Sequence, residues 1–430
     1  MLKIQLILCL LLPISDLAYS QITPIKIHEG KRDLGPCEPS IAINPNNTDQ
    51  VVAGSVLDNV YFSEDGGQSW QVKSLKSPYG VWGDPCIIAD YDNNFYYFHL
   101  SNPGGRGWHS AELLDRIVAQ KSSDGGKSWS KGASIGYHDR RHDQDKEWAA
   151  VNPQNNHLYV SWTEFDKYES VRPQDSTYIL FSRSTDQGES WSEAIRINQK
   201  AGNCLDDDLT VEGAVPTVGP EGQIYIAWAF NDTIYFDRSE DEGQSWLAED
   251  KVVAAQPGGW TFEVSGLERC NGLPVTACDI SQSEYRGTVY VNWVDLRNGE
   301  GDADVWIARS TDGGEHWSEP IRVNDDEAGH QQFFTWMTVD PLSGYIYVVF
   351  YDRRNNEGNY TDVYLAYSKD GGTTFSNVKL TDKPFLMEEK AFFGDYNNIT
   401  AYDGNIYPIW TQIEGRKLSI WTVRIRQDEL

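Results

Sequence analysis

The stretch Ser63–Trp70, SEDGGQSW, decides how this chain is read, because it returns five more times. Its copies are SSDGGKSW at Ser122–Trp129, STDQGESW at Ser184–Trp191, SEDEGQSW at Ser239–Trp246, STDGGEHW at Ser310–Trp317 and SKDGGTTF at Ser368–Phe375. The central aspartates Asp65, Asp124, Asp186, Asp241, Asp312 and Asp370 stand 59, 62, 55, 71 and 58 residues apart. So regular a period marks supersecondary units that stack on one another. The motif has the chemistry of a locked hairpin. Its carboxylate can accept hydrogen bonds from its own turn, its glycines suit positive φ, and its aromatic residue can fold back on the strands. We therefore read these aspartates as structural rather than catalytic, since six solvated turns offer little means of tuning an acid.

Working outward, β-rich pairs joined by a tight turn occupy 39–55, 85–100, 147–162, 214–228, 274–293, 334–350 and 395–410. That makes seven pairs against six octapeptides. The last pair is followed by one further strand, Leu418 to Ile425, while Ile22 to His28 (ITPIKIH) is left unassigned near the start. If those two segments pair, both ends of the chain share the seventh unit, and no hairpin remains to carry a seventh motif. Six units is the alternative.

The octapeptides resemble the Asp-box of the BNR-repeat, sialidase-like β-propellers, and the resemblance spans nearly all of the mature chain. It implies an all-β fold: a single seven-bladed β-propeller over 21–430, with six Asp-box hairpins and an N-terminal strand closing the last blade. Each blade would have four antiparallel strands, with the box at the turn between the third and fourth. Radial repetition leaves only short sheet edges.

Composition agrees. The 430 residues are 13% aromatic with 37 glycines, which suits strands and turns and excludes disorder. The net charge of -28 disfavours a nucleic-acid partner. Residues 1–20 read as a signal peptide: Lys3, an apolar stretch from Ile4 to Pro13, and small residues at Ala18-Tyr19-Ser20. No later run is long enough to span a bilayer. We expect a secreted or periplasmic monomer with no membrane or nucleic-acid partner. Beyond Cys9 lie Cys37, Cys86, Cys204, Cys270 and Cys278, for which one or two disulfides are the expectation in an oxidising compartment.

In an antiparallel meander the first-to-second and third-to-fourth turns share one face, and here they are short. The long, varied connections fall on the other face, where binding groups would gather. Asp295-Leu-Arg297 and Asp352-Arg353-Arg354 hold equivalent places after second strands. Their guanidinium groups either clamp an acidic substrate or stiffen their own loops by pairing with the aspartates. Asp139-Arg140-Arg141-His142-Asp-Gln-Asp-Lys146-Glu-Trp148 packs ten mostly charged residues before the third blade and offers His142 as a base. Lys390 stands just before Gly394-Asp-Tyr396, and Asp84 and Glu212 lead into blades two and four.

The resemblance adds roles. In sialidases a tyrosine paired with a glutamate is the nucleophile, an aspartate is the acid/base and three arginines hold the sialate carboxylate. By blade position Tyr396, Glu212 and Asp84 are the counterparts. The sequence departs from that family in lacking the Arg-Ile-Pro or Arg-Leu-Pro segment of the first blade; Gly35-Pro-Cys-Glu-Pro-Ser40 stands there. Sialidases also have six blades. No histidine or cysteine pattern has metal-ligand spacing, no metal site is assigned and no cofactor is required; calcium is left open at Asp206-Asp-Asp208. Three functions follow for an exported protein of this kind: sialidase-like hydrolysis of an acidic sugar, β-elimination at a uronate, or non-catalytic binding of glycan or protein.

Overall fold

The computed structural model describes residues 22–31, 35–138, 142–389 and 391–430. Seven antiparallel sheets follow one another, each built on a path of four strands; six run as simple meanders along the chain, two of the seven carry a short extra strand, and the seventh takes its outermost strand from the N-terminal side. The innermost strands are Ser40–Ile43, Cys86–Ala89, Asp143–Val151, Glu212–Val218, Val275–Cys278, Gln332–Val339 and Asn398–Tyr402. They are short or kinked, and together they line an axial channel. The second strands carry the core, with Trp162, Trp228, Trp293 and Trp410 fully buried.

The ring closes as the strand count predicts. Ile25–Glu29 pairs antiparallel with Lys417–Thr422, Ile25 opposite Thr422 and Glu29 opposite Ser419. The seventh blade thus takes its outer strand from the N-terminal side, and its outer turn has no place for a seventh octapeptide. Among the described residues no helix is long and apolar enough to cross a membrane. The expected signal peptide, residues 1–20, lies outside the described residues.

Each octapeptide sits between the third and fourth strands of its blade. In the first, Ser63 Oγ donates to Asp65 Oδ1 at 2.8 Å and accepts from Gly67 N at 2.8 Å, while Ser69 N donates to Asp65 Oδ1 at 2.9 Å. The other five reproduce this set, with His316 or Thr374 in place of the second serine in two of them. The aromatic residue does more than fold back on its own blade. Trp191, Trp246 and Trp317 pack edge-on against Phe98, Phe181 and Phe236 of the preceding blade, at 5.7, 5.0 and 5.1 Å between ring centres. Gly243 shows why glycine is needed: its φ is +81°, and a Cβ would lie 2.1 Å from the Phe181 ring. The octapeptide therefore joins blades as well as strands. Asp65→Ala is expected to cost about 1–2 kcal/mol, the loss of charge-assisted hydrogen bonds in a partly exposed turn. Chemical denaturation would measure it.

The disulfide expectation is corrected. Cys37, Cys86, Cys204, Cys270 and Cys278 are all free and buried. They are distributed over separate blades and loops, and they pack as small apolar side chains.

Candidate functional site

Two cavities meet the axis from opposite faces. The one on the octapeptide side is lined by residues such as Ile43, Ala89, Val218 and Met337, with no acidic, basic or histidine side chain. It stops at a plug in which Trp148 and Trp336 lie 4.2 Å apart and Trp148 and Tyr396 4.9 Å apart, between ring centres. Beyond the plug, on the long-loop face, opens a cleft of about 660 Å³. The ionisable groups of the axis are on that side.

A backbone device places them. Two residues before the channel-lining Ser40, Cys86, Trp148, Val215 and Trp336 stand Glu38, Asp84, Lys146, Gly213 and Phe334, with φ of +53, +50, +54, +80 and +49°. In blades three, four and six the ladder also slips there, between Asp145 and Trp148, Glu212 and Val215, and Phe333 and Trp336. Left-handed residues and bulges re-aim side chains at a cost that the surrounding fold must sustain. Here they turn Glu38, Asp84 and Lys146 into the cleft, and the residue one position earlier or its counterpart adds Asp145, Glu212 and Asp395.

Asp395 is the hub. It accepts from Lys146 Nζ at 2.7 Å and from Arg269 Nε at 2.8 Å, with a second Arg269 bond to its other oxygen. Its own amide donates to Glu38 Oε1 at 3.0 Å. Arg269 Nη1 continues to Asp206 Oδ2 at 3.1 Å, which also accepts from the Tyr168 hydroxyl at 2.7 Å. Lys146 Nζ lies 3.9 Å from Asp84 Oδ2, and Asp84 and Asp145 line the cleft together.

The electrostatics divide the acids. Burial works to raise Asp395, but Arg269 and Lys146 outweigh it and hold the carboxyl well below its ordinary range. Burial likewise opposes the Lys146 charge, yet Asp395, Asp84 and Asp145 keep it protonated far above the usual range. Asp145 and Glu38 go the other way: burial first, then neighbouring carboxylates, push both well up. Glu212 and Glu147 are raised mainly by burial, and neither has a hydrogen-bond partner for its carboxyl oxygens among the described residues. The cleft thus holds one firmly ionised acid beside several that keep their protons.

The rim is aromatic. Trp82 and Trp108 meet edge to face at 6.1 Å, Trp108 stacks on Tyr168 at 5.7 Å, and Phe392 lies beneath Arg269. Trp108 is 64% exposed, a ring face open to a ligand.

Of the residues singled out from the sequence, Asp84, Glu212, Lys146, Trp148 and Tyr396 converge on the axis. Tyr396 and Trp148 belong to the plug. The Tyr396 hydroxyl is buried without a partner, and burial together with Asp84, Glu38 and Glu147 pushes the phenol far above its ordinary range, so the tyrosine–glutamate pair expected with Glu212 is not formed. The arginine clamp is not assembled. Arg297 is bound to Asp295 and stacked at 4.3 Å on Trp306; Arg354 is bound to Asp352 and stacked at 4.4 Å on Tyr364. Neither lines the cleft: Arg297 also donates to the Ala255 carbonyl and Arg354 to Asp325 and Asn377, so each guanidinium ties its own loop to a neighbouring one. Arg353 is buried elsewhere, on Thr361, Gln331 and the Ser265 carbonyl. His142 faces Glu164 and Asp166 instead of the cleft. Arg140, Arg141 and Lys390 lie outside the described residues. The three acids left open for calcium diverge: Asp206 serves Arg269 and Tyr168, Asp207 serves Asn203, and Asp208 serves the Trp260 and Asp232 amides.

Sequence reasoning missed Glu38, Asp145, Asp206, Arg269, Asp395 and Tyr168 as members of one site. A signal existed for the first: Glu38-Pro39 and Asp84-Pro85 are the same acid–proline pair at the same place in successive blades.

The pH dependence of stability follows from these shifts. The octapeptide aspartates are depressed; Asp241, held by the Ser245 hydroxyl, falls to about 2, so its contribution is present above its unfolded value of 3.8 and lost as pH falls towards 2. Asp237 is raised by burial to about 7, so its contribution is full below 3.8 and lost as pH rises through 7. Glu38, Asp145, Glu147 and Glu212 act in the same sense as Asp237. Thermal melts across pH should therefore peak close to the unfolded carboxyl values, near pH ~4, and decline in both directions. A maximum above neutrality would contradict the assignment of neutral buried acids.

The sequence matches no family model and is similar to no curated protein. Its fold is similar to solved structures. An ulvan lyase, described as a new family of polysaccharide lyase and solved bound to GlcA(1-4)Rha3S, superposes with a TM-score of 0.53 at 12% identity, covering 94% of this chain and 96% of that one. The NanB sialidase of Streptococcus pneumoniae, in a K499G mutant, gives 0.52 at 9% identity, with 88% and 83% covered. A Hadza microbial sialidase gives 0.50 at 15% identity, with 88% and 74% covered.

Proposed function

We propose that this protein is an exported carbohydrate-active enzyme whose long-loop cleft takes an oligo- or polysaccharide and cleaves it by carboxyl acid/base chemistry. The observation that carries the reading is the Asp84–Asp145 pair at the foot of an aromatic-rimmed cleft, with Asp145 raised by burial and by its neighbours. A glycosidic bond needs one carboxylic acid to protonate the departing oxygen, the role Asp145 would fill, and a second carboxylate about 5–10 Å away to assist attack at the anomeric carbon, a place that another acid of the cleft would take. Trp82 and Trp108 offer the flat faces on which sugar rings stack, and Lys146, fixed on Asp395, holds charge beside the pair. The likeness to sialidases and to an ulvan lyase supports a glycan substrate.

A second reading, β-elimination at a uronate, is favoured by one observation. Arg269 keeps 42% of its side chain exposed at the cleft and stands beside Asp206, which binds the Tyr168 hydroxyl. An arginine that neutralises a sugar carboxylate and a tyrosine that moves the C5 proton are the groups such chemistry uses. In either reading Arg269 replaces Arg297 and Arg354 as the group that meets an acidic sugar.

The test is a screen of sialosides, ulvan, alginate and pectic oligosaccharides beside neutral glycans, followed by reducing-sugar release and by ultraviolet absorbance. Released sugar without new absorbance supports hydrolysis, and new absorbance supports elimination. Binding with neither signal would leave a non-catalytic glycan-binding propeller and overturn the proposal.

A further inference from the structure

Apart from the cleft, one group of side chains in blade three has the composition and geometry of a metal centre. His138 and His142 both lie in the connection between the last strand of blade two, which ends at Ile135, and the inner strand of blade three, which begins at Asp143; Glu164 lies near the end of the second strand of blade three. One ligand atom from each lies within 4.8 Å of the others. His138 Nδ1 is 2.6 Å from Glu164 Oε2, and His142 Nδ1 is 3.6 Å from Glu164 Oε1 and 3.4 Å from Asp166 Oδ1. The rings stand edge to face, 4.8 Å between centres.

These contacts are not hydrogen bonds. Both Nδ1 atoms are shut off from solvent, yet neither makes a hydrogen bond of acceptable geometry to a described residue. Two buried imidazole nitrogens aimed at one carboxyl group without a hydrogen bond are an unusual arrangement for a structural ion pair. They suit an ion between them. A tetrahedral zinc with bonds of 2.0–2.1 Å keeps its ligand atoms about 3.3 Å apart. The 3.4 and 3.6 Å separations already match, the shortest contact needs to open by less than 1 Å, and the widest spread of the three ligand atoms, within 4.8 Å, needs to close by up to about 1.5 Å. Glu164 is also oriented from behind, since Gln144 Nε2 donates to its Oε2 at 3.0 Å while Gln144 Oε1 accepts from Trp162 Nε1. Such outer bonds are what hold a ligating carboxylate in place.

We propose that His138 Nδ1, His142 Nδ1 and the Glu164 carboxylate bind a zinc ion, with Asp166 as the fourth ligand. Two imidazoles and two carboxylates suit zinc and other borderline divalent ions, while calcium demands six or more oxygen ligands. The site is structural. It fastens the connection between blades two and three, tied at the His138 amide to the Asp115 carbonyl, to the loop beginning at Asp166. That loop closes on itself through Ser176 N to Asp166 Oδ2, and it carries Tyr168, whose amide donates to Asp143 Oδ2. Zinc would therefore hold the cleft's Tyr168 wall without touching substrate.

The experiment is metal analysis of the full protein after EDTA treatment, dialysis and re-equilibration with zinc chloride or calcium chloride, together with melting curves. We expect about one tightly held zinc per chain, a higher melting temperature with zinc than after EDTA, and no such gain from calcium. His142→Ala and Glu164→Gln should each lower the zinc content at least about tenfold while circular dichroism shows the propeller retained. Should either variant fail to fold, cobalt substitution of the wild-type chain decides: visible bands of tetrahedral cobalt without a thiolate charge-transfer band place the ion on nitrogen and oxygen ligands, away from Cys204. A folded wild-type protein that binds no zinc, variants that bind as well as wild type, or a cobalt spectrum showing thiolate would each overturn the assignment. None of these readouts depends on turnover, so the result stands apart from the fate of the proposed enzymatic reading.

Discussion

Asp145→Asn is expected to leave a folded protein that still binds its glycan and turns it over at least about 10²-fold more slowly, the usual contribution of a positioned general acid. The substitution keeps the shape of the side chain and its place beside Asp84. It removes the transferable proton, which burial and neighbouring carboxylates hold on Asp145 at pH values where an ordinary aspartate has lost it. Because the fault lies in the proton, kcat should fall while KM changes little. The limb of the pH–rate profile that reports loss of the acid's proton should vanish with it. Asp84→Asn should also slow turnover, since Asp84 is one of the carboxylates that help hold the proton on Asp145, and the double variant should lose little more than Asp145→Asn alone. Wild-type turnover in Asp145→Asn would remove the pair from the mechanism and leave Glu38 or Glu212 to be tried in its place.

The architecture was legible because it is written in turns. Six octapeptides fix their own hairpins by contacts within eight residues, so the sequence shows them without knowledge of the rest of the fold. Ring closure was legible by counting, since a strand-forming ITPIKIH segment had no other partner than Lys417–Thr422. The site was legible only in part. Asp84 and Glu212 could be found because each leads into an inner strand, a position defined by the repeat. Arg297 and Arg354 held equally regular positions and misled, because regularity reports the loop they stiffen: each is bound to its own aspartate two residues away. Arg269 and Tyr168 could not be found by any periodic argument. They sit in irregular loops, and their roles depend on Asp395 and Asp206: Arg269 meets Asp395 at a separation of 126 residues, and Tyr168 meets Asp206 at 38 residues, between two loops that no repeat aligns. His138 and Glu164 escaped for the same reason: one lies in an interblade connection and the other in a strand that reads as core.

Lys146→Met should be the most destabilising single change in the cleft, costing about 3–5 kcal/mol as the loss of one partner from a buried ion pair. Lys146 is buried against Asp395 at 2.7 Å, with Asp84 at 3.9 Å and Asp145 adjacent in sequence. Methionine keeps the length of the side chain and leaves the left-handed backbone strain at this position in place, so the measured loss reports the charge. Arg269 still faces Asp395 in the variant, which keeps that carboxylate ionised, but nothing then offsets its repulsion of Asp84. Lys146→Met combined with Asp395→Asn should recover part of the loss, since a buried pair removed together costs less than a pair broken. Lys146→Gly separates the two contributions at this residue: it removes the charge while relieving the strain of φ +54°, and so should cost less than methionine. Equilibrium unfolding in guanidinium would give all three values. A loss under about 1 kcal/mol for Lys146→Met, the size expected of an exposed pair, would mean that water reaches Asp395 freely and that the cleft does not hold its acids in the protonation states on which the proposed chemistry rests.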